Sequence, residues 1–114
     1  KLPNANKLFP SEISGGMKKR VGIARAIALN PKYLFCDEPN SGLDPVTSRV
    51  IDDLIAEITD EYKITTIINT HDMKTVTDHG DHIIFIYKGE KSWEGNRADF
   101  LIADNAPLRE FVNA

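Results

Sequence analysis

The sequence predicts an α/β fold in which a mainly parallel sheet is flanked by helices. Three short apolar runs rich in β-branched or aromatic residues have the length of strands, and segments with apolar residues at helical spacing separate them. Strands that alternate with helices form a largely parallel sheet, because each helix returns the chain to the same edge. At 114 residues, the chain is long enough for one domain with a modest core.

The first helix is predicted over residues 15–29, where apolar side chains recur at helical spacing, and Asn30-Pro31 ends it. The apolar run 33–36 follows between residues that break secondary structure, and it predicts a buried strand. Asp44-Pro45 then predicts the start of a second helix, with aspartate as the N-cap and proline in the first turn.

One face of this second helix is strongly apolar. Burying its six large side chains is predicted to contribute about 9–18 kcal/mol as an upper bound. These residues are Val46, Val50, Ile51, Leu54, Ile55 and Ile58. We interpret this face as core rather than as a ligand site.

The remaining sequence predicts further strands, a hairpin and short helices. Gly80 ends one helix, and Lys88-Gly89-Glu90 forms the hairpin turn. The predicted elements are a strand over 64–69, a helix over 72–79, strands over 82–88 and 91–94, and helices over 97–102 and 107–112. Trp93 is predicted to pack against the sheet edge or a terminal helix.

Composition argues against several classes of function. The net charge of −3 and the pI near 5.6 disfavour a nucleic-acid surface. Cys36 is the only cysteine, so no internal disulfide forms. No apolar stretch approaches the ~20 residues that a membrane-spanning helix needs. The sequence therefore predicts no nucleic-acid partner and no direct membrane span.

A serine and two glycines, Ser14-Gly15-Gly16, stand where the first helix begins. The first turn of a helix leaves backbone N–H groups unpaired and carries about half a positive charge. Glycines let a phosphate approach that backbone closely, and Ser14 adds a hydroxyl donor. Because glycines before a helix are also common in turns, this motif alone favours an ordinary turn.

Two carboxylates, Asp37 and Glu38, end the first predicted strand. Ligands of parallel sheets bind beyond the carboxyl ends of the strands. Adjacent side chains on extended backbone point to opposite faces, so we predict two different tasks. One carboxylate can orient Mg²⁺ and the other can polarise an attacking water. A solvated acidic loop is the alternative interpretation.

His71 follows the second predicted strand, and it lies near Asp37 and Glu38 if the two strands are neighbours. Its imidazole is then able to donate to a γ-phosphate. Taken alone, His71 is more simply interpreted as an ordinary histidine. His79 and His82 lack this placement and are predicted to lie on the surface or in turns.

In this order, the motifs together resemble the nucleotide-binding subunit of ABC transporters. The matching segments are Ser14-Gly15-Gly16 for the signature loop, Asp37 and Glu38 for the Walker B aspartate and catalytic glutamate, Ser41-Gly42-Leu43-Asp44 for the D-loop, and His71 for the switch histidine. Two positions depart from the family pattern, since Ile13 stands where leucine is usual and Met17 replaces glutamine. The resemblance covers nearly the whole chain from Glu12 onward.

The resemblance implies a P-loop NTPase-type (ABC ATPase) fold of which residues 1–114 are the C-terminal portion, with the N-terminal half absent. The sequence holds no Gly-x-x-x-x-Gly-Lys-Ser/Thr loop, which is the family's own phosphate-binding device. We therefore expect the isolated chain to be inactive towards ATP. Exposed strand edges and apolar helix faces also predict self-association.

The resemblance further implies a role for each motif. In this family, two domains close head to tail over two ATP molecules, each with Mg²⁺. Glu38 and His71 would be catalytic in cis, and Asp37 would be the metal ligand. The signature residues Ser14, Gly15 and Gly16 would bind the partner's ATP in trans, and Asp44 would couple the two sites. A site split between subunits makes hydrolysis conditional on closure.

Three segments narrow the resemblance to Mla/Mce-type phospholipid transport ATPases: residues 13–17, 50–55 and 107–111. This implies transport of phospholipid or another hydrophobic solute. It also implies a transmembrane permease as partner and a peripheral location on the cytoplasmic face of the bacterial inner membrane.

Two other functions stay open. An ABC-type ATPase that acts on DNA or ribosomes without a permease would show basic surfaces or long insertions, whereas this chain is acidic and compactly spaced. A non-catalytic interaction module of the same fold would have little use for Glu38 and His71 together.

Overall fold

A computed structural model of the chain describes residues 15–113, so the predicted signature serine Ser14 lies outside the described residues. The described elements, in chain order, are α1 (Gly15–Ile27), β1 (Tyr33–Asp37), α2 (Pro45–Glu61), β2 (Thr65–Asn69), α3 (Met73–His79), β3 (His82–Tyr87), β4 (Glu90–Asn96), α4 (Arg97–Leu101) and α5 (Ala106–Val112). The predicted α/β class is confirmed.

The chain divides into two compact units, which we call the N-terminal unit (residues 15–71) and the C-terminal unit (residues 72–113). In the N-terminal unit, β1 and β2 pair in parallel. In the C-terminal unit, β3 and β4 form an antiparallel hairpin with an irregularity between Phe85 and Ile86. The predicted parallel pairing is therefore found between β1 and β2, whereas β3 belongs to a separate sheet.

One face of the parallel pair packs against α1 and α2. Its core residues are Leu34, Ile58 and Ile64, with Ile23, Ile27, Cys36 and Leu54 packed around them. The prediction of a buried strand at β1 holds for one face only, because the alternate residues Tyr33 and Phe35 are 60% and 72% exposed. Side chains alternate along a strand, so a sheet covered on one face buries every second residue.

Helix α2 begins where the sequence predicts. Asp44 is its N-cap, and Pro45 occupies the first turn. The apolar face is buried at its centre, where Ile51 and Ile55 are almost inaccessible, but Val46 is 74% exposed. The buried stripe follows positions 48, 51, 52, 55 and 58, so Val46 and Val50 fall outside it and the predicted six-residue face is only partly core.

The C-terminal unit has a core of its own. This cluster consists of Ile83, Phe100, Ala103 and Leu108, with Met73, Val76, Phe85 and Trp93 packed against it. The rings of Trp93 and Phe100 meet edge to face with centroids 5.8 Å apart, which confirms the predicted packing of Trp93 against a terminal helix. The hairpin turn is also confirmed, since Lys88 and Gly89 both have positive φ, as type I′ turns require.

Among the described helices, none is both long enough and apolar enough to cross a bilayer.

Candidate functional site at the carboxyl ends of the parallel strands

The parallel register of β1 and β2 brings their last residues together. Asp37 is opposite Asn69, and the Asn69 side-chain amide donates to Oδ1 of Asp37 at 2.7 Å. The backbone N–H of Glu38 then donates to the carbonyl oxygen of Asn69 at 2.7 Å. Because parallel strands end at one edge, polar residues that are far apart in sequence become neighbours there.

Glu38 and His71 form the closest polar pair of this edge. Nδ1 of His71 lies 2.6 Å from Oε2 of Glu38, and the backbone N–H of His71 approaches Oε1 at 3.4 Å. An ionised carboxylate only accepts hydrogen bonds, so the proton of this contact belongs to Nδ1. The predicted proximity of His71 and Glu38 is confirmed. The imidazole stays accessible, with 74% of the side chain exposed.

Glu38 has a left-handed backbone, with φ of 48°. This conformation is uncommon for a residue with a Cβ, and it ends the extended path of β1. As a result the two adjacent carboxylates have different partners, Asn69 for Asp37 and His71 for Glu38. The separate tasks of the two carboxylates stay a prediction, and its premise of extended backbone at both residues does not hold at Glu38.

The loop after Glu38 leads directly into α2. The backbone N–H of Ser41 donates to the carbonyl of Glu38 at 3.0 Å, and Gly42 takes a positive φ of 77°. Asp44 then caps the helix by accepting from the backbone N–H of Thr47 at 3.1 Å and from its hydroxyl. These two bonds hold the pKa of Asp44 below its usual range.

The two predicted signature glycines open α1. Gly16 is buried and Gly15 is exposed. A Cβ added at Gly15 would lie 2.9 Å from Cδ2 of Leu43, which belongs to the loop before α2. Glycine at position 15 therefore permits close contact between the start of α1 and the predicted D-loop.

No group of three or more His, Cys, Asp or Glu residues within 15–113 forms a metal cage. Asp37 instead offers one exposed carboxylate, which is held by the Asn69 amide at Oδ1. Mg²⁺ is commonly bound by one or two protein carboxylates together with phosphate oxygens and water. The exposed carboxylate of Asp37 therefore fits the role of a protein ligand in such a site.

Three polar residues near the site were not singled out from the sequence. Asn69 bonds Asp37, and Asn40 donates through its side chain to Oδ1 of Asp52 at 2.8 Å. Asn69 had a readable signal, because a polar amide closes the apolar run of β2 at the position that a parallel pairing sets beside Asp37. The sequence gives no such signal for Asp52, because its position in α2 predicts a residue of the polar face.

Comparison with known proteins agrees with this geometry. Residues 2–41 match the family model described as "ABC transporter". The chain is 47% identical over 106 residues to the methionine import ATP-binding protein MetN of Carboxydothermus hydrogenoformans, a match that covers 92% of this chain and 32% of that protein. It is 39% identical over 112 residues to the probable ribonucleotide transport ATP-binding protein mkl of Mycobacterium leprae, covering 98% of this chain and 32% of that protein.

Solved structures show the same similarity. A dimeric ATP-binding cassette in a post-hydrolysis state with ADP and Pi matches with a TM-score of 0.66 and 35% identity, covering 77% of this chain and 38% of that one. A nucleotide-free cassette from an ABC transporter matches with a TM-score of 0.75 and 29% identity, covering 89% and 40%. By sequence and by fold, the chain is similar to part of the ATP-binding domains of ABC transporters. It spans about a third of the length of the curated relatives it matches.

Proposed function

We propose that the complete subunit carrying this chain hydrolyses ATP, with Mg²⁺, to power an ABC transporter. The observation that supports this most strongly is the contact between Glu38 and His71 at the carboxyl edge of β1 and β2. A carboxylate and an imidazole at this edge supply a base for water and a donor for phosphate, which are two of the groups that promote hydrolysis of a phosphoanhydride.

Glu38 is the general base in this proposal. Its backbone is fixed by the bond to Asn69, and Oε2 is held by His71. Both contacts orient the carboxylate without consuming all of its acceptor capacity, because each carboxylate oxygen has two lone pairs. Glu38 would accept a proton from the attacking water as the water oxygen bonds to the γ-phosphorus and the bond from that phosphorus to the β,γ-bridging oxygen breaks, which releases ADP and phosphate.

His71 is the proposed γ-phosphate contact. Its Nδ1–H is directed to Glu38, so a phosphate would be bound by Nε2. Nε2 donates only when the ring is an imidazolium, in which both nitrogens carry protons. His71 would thereby couple the position of the base to the presence of a γ-phosphate.

Asp37 is the proposed metal ligand, with Asn69 holding its orientation. Bound Mg²⁺ would neutralise the charge on the transferring phosphate. A supporting amide of this kind typically contributes to metal affinity by keeping the ligand oxygen aimed at the site. Asp37 is exposed at the strand end, so its second oxygen has room to reach the ion.

We also propose that the signature residues Ser14, Gly15 and Gly16 act in trans on the ATP of a second subunit, and that Asp44 couples the two sites. The order of the motifs supports this, as does the similarity to a cassette solved as a dimer. The close approach of Gly15 to Leu43 adds a physical link between the signature and the D-loop within one protomer.

We propose phospholipid or another hydrophobic solute as the transported compound, on the resemblance carried by residues 13–17, 50–55 and 107–111. Methionine is the second candidate, because several similar proteins are named for methionine import. We also propose that the subunit works with a transmembrane permease and lies on the cytoplasmic face of the membrane. Purified transporter in detergent would show ATPase stimulation by added phospholipid in the first case and by methionine in the second.

The ATPase proposal is tested with Glu38→Gln in the complete subunit. Turnover should fall by about 10²–10⁴-fold, because the amide does not accept the proton, while ATP still binds and closes the dimer. Glu57→Gln, an exposed change on α2, is the matched control and should keep wild-type turnover. Unchanged turnover in Glu38→Gln would show that another group is the base.

A further inference from the structure

Helix α2 buries a carboxylate on its core face. Asp52 follows the fully buried Ile51, and only 1% of its side chain is exposed. A charged group in this position is strongly unfavourable unless its partners replace water. Its burial is therefore unexplained by packing alone.

Two side chains are among those partners. Nδ2 of Asn40 donates to Oδ1 of Asp52 at 2.8 Å, and NH2 of Arg49 lies 3.4 Å from Oδ2. Arg49 belongs to the same helix, three residues earlier, so its contact is local. Asn40 belongs to the loop before the helix, which makes the bond from Asn40 a tether between two elements.

The tethered loop joins the proposed catalytic base to the proposed coupling residue. Asn40 stands two positions after Glu38 and four before Asp44. Its carbonyl accepts from the backbone N–H of Leu43 at 3.1 Å, so the middle of the loop is held through both backbone and side chain.

Glu38 depends on such restraint because of its backbone. A left-handed φ of 48° in a residue with a Cβ persists only where surrounding contacts determine it. On one side, the bond to Asn69 supplies this restraint. On the C-terminal side of Glu38, the backbone is restrained two residues later by the hydrogen bond from Asn40 to Asp52.

We propose that Asp52 is a positioning residue for ATP hydrolysis, acting through Asn40 on the loop from Glu38 to Asp44. This rests on the proposed function, because it assigns Asp52 to the same site. Asp52 touches no substrate in this role. Its carboxylate holds the loop so that Glu38 meets His71 and the water, and a small displacement of a catalytic group is costly in rate.

The experiment uses the complete subunit with Asn40→Ala, Asp52→Leu and the double variant. We expect kcat to fall about 10–100-fold in Asn40→Ala while the KM for ATP changes less than about twofold, because nucleotide binding does not use the tether. The losses of the two single variants should not multiply in the double variant, since both break one contact. Asp52→Asn keeps an oxygen that can accept the hydrogen bond from Asn40. Its kcat should therefore be much closer to wild type than the kcat of Asp52→Leu.

Asp53→Asn is the matched control, because Asp53 is the exposed neighbour on the same helix. Thermal unfolding of each variant shows whether a loss of rate comes from a loss of folded protein or from misplacement of Glu38. If Asp52→Leu does not fold, Asn40→Ala still tests the proposal. Wild-type kcat in Asn40→Ala, or fully multiplicative losses, would overturn the proposal. If Glu38→Gln abolishes turnover while Asn40→Ala does not, the ATPase proposal survives and only this inference fails.

Discussion

The two units of the molecule each contain a histidine–glutamate pair with the same separation. In the N-terminal unit, His71 and Glu38 lie 2.6 Å apart, and in the C-terminal unit His82 and Glu94 do so as well. The first pair joins residues 33 apart in sequence at the carboxyl ends of parallel strands. The second joins facing strands of a hairpin. The distance within a pair thus does not identify a site, and our proposal for Glu38 and His71 depends on their position on the sheet.

The surroundings of the two glutamates differ accordingly. Glu94 also accepts from Lys91 at 2.6 Å, and the bonds from Lys91 and His82 lower its pKa. Such an exposed cluster is a surface ion pair, which contributes little to stability. Glu38 instead has a left-handed backbone, with φ of 48°. The two histidines do not differ much in exposure, at 74% for His71 and 63% for His82. We expect the environment of Glu38, rather than that of Glu94, to be the functional one.

The largest expected effect separates the two histidines. His71→Ala in the complete subunit should lower kcat by about 10²–10⁴-fold, because it removes the proposed phosphate donor and the partner of Glu38. His82→Ala removes an equally short contact and should change kcat by less than about twofold. Steady-state ATPase assays of both variants measure this difference, and equal losses would break the comparison.

The second largest effect is expected on the free energy of unfolding, from variants in the cores of the two units. Ile55→Ala in the N-terminal unit and Leu108→Ala in the C-terminal unit each leave a cavity at a fully buried position, so each should cost about 2–5 kcal/mol of unfolding free energy. Val46→Ala, at a 74% exposed position of α2, should change it by less than about 0.5 kcal/mol. Urea denaturation of the complete subunit measures all three. A large cost for Val46→Ala would show that this residue is covered.

The structure also shows which features of the fold and the site could be predicted from the sequence. The start of α2 follows from Asp44-Pro45, and the hairpin follows from Lys88-Gly89, because capping and turn chemistry act within a few residues. The exposure of Phe35 was not predictable, since it depends on what covers the second face of a sheet. Burial of Asp52 depends on Asn40, twelve positions away, and local pattern carries no trace of it.

A smaller effect is expected at Asn69. Asn69→Ala removes the amide that holds Asp37, so affinity for a divalent ion presented with nucleotide should fall about 10–100-fold. Binding of Mn²⁺ in the presence of ATP, followed by electron paramagnetic resonance, measures this without relying on turnover. Thr65→Ala, at an exposed position of the same strand, is the control. Unchanged Mn²⁺ affinity in Asn69→Ala would remove Asn69 from the site.

The smallest effect concerns the cap of α2. The pKa of Asp44 is lowered in the folded chain, so its carboxylate stabilises the fold above the ordinary aspartate pKa of about 4, and this contribution is lost as the pH falls through the lower folded value. The melting temperature of Asp44→Ala should therefore lie below wild type at pH 6 and approach it near pH 2. A difference that does not depend on pH would show that the charge of Asp44 is unimportant for the cap.

The central claim is that Glu38 acts on the nucleotide of its own subunit while Ser14 acts on that of the partner. Mixed dimers test it most directly, with Glu38→Gln and Ser14→Arg placed either in the same subunit or in different ones. With both changes in one subunit, each of the two sites carries one lesion and ATPase activity should be lost. With one change in each subunit, both lesions fall in one site, so the other site is intact and about half of the activity should remain. The reverse order, or equal activity in the two arrangements, would contradict the account.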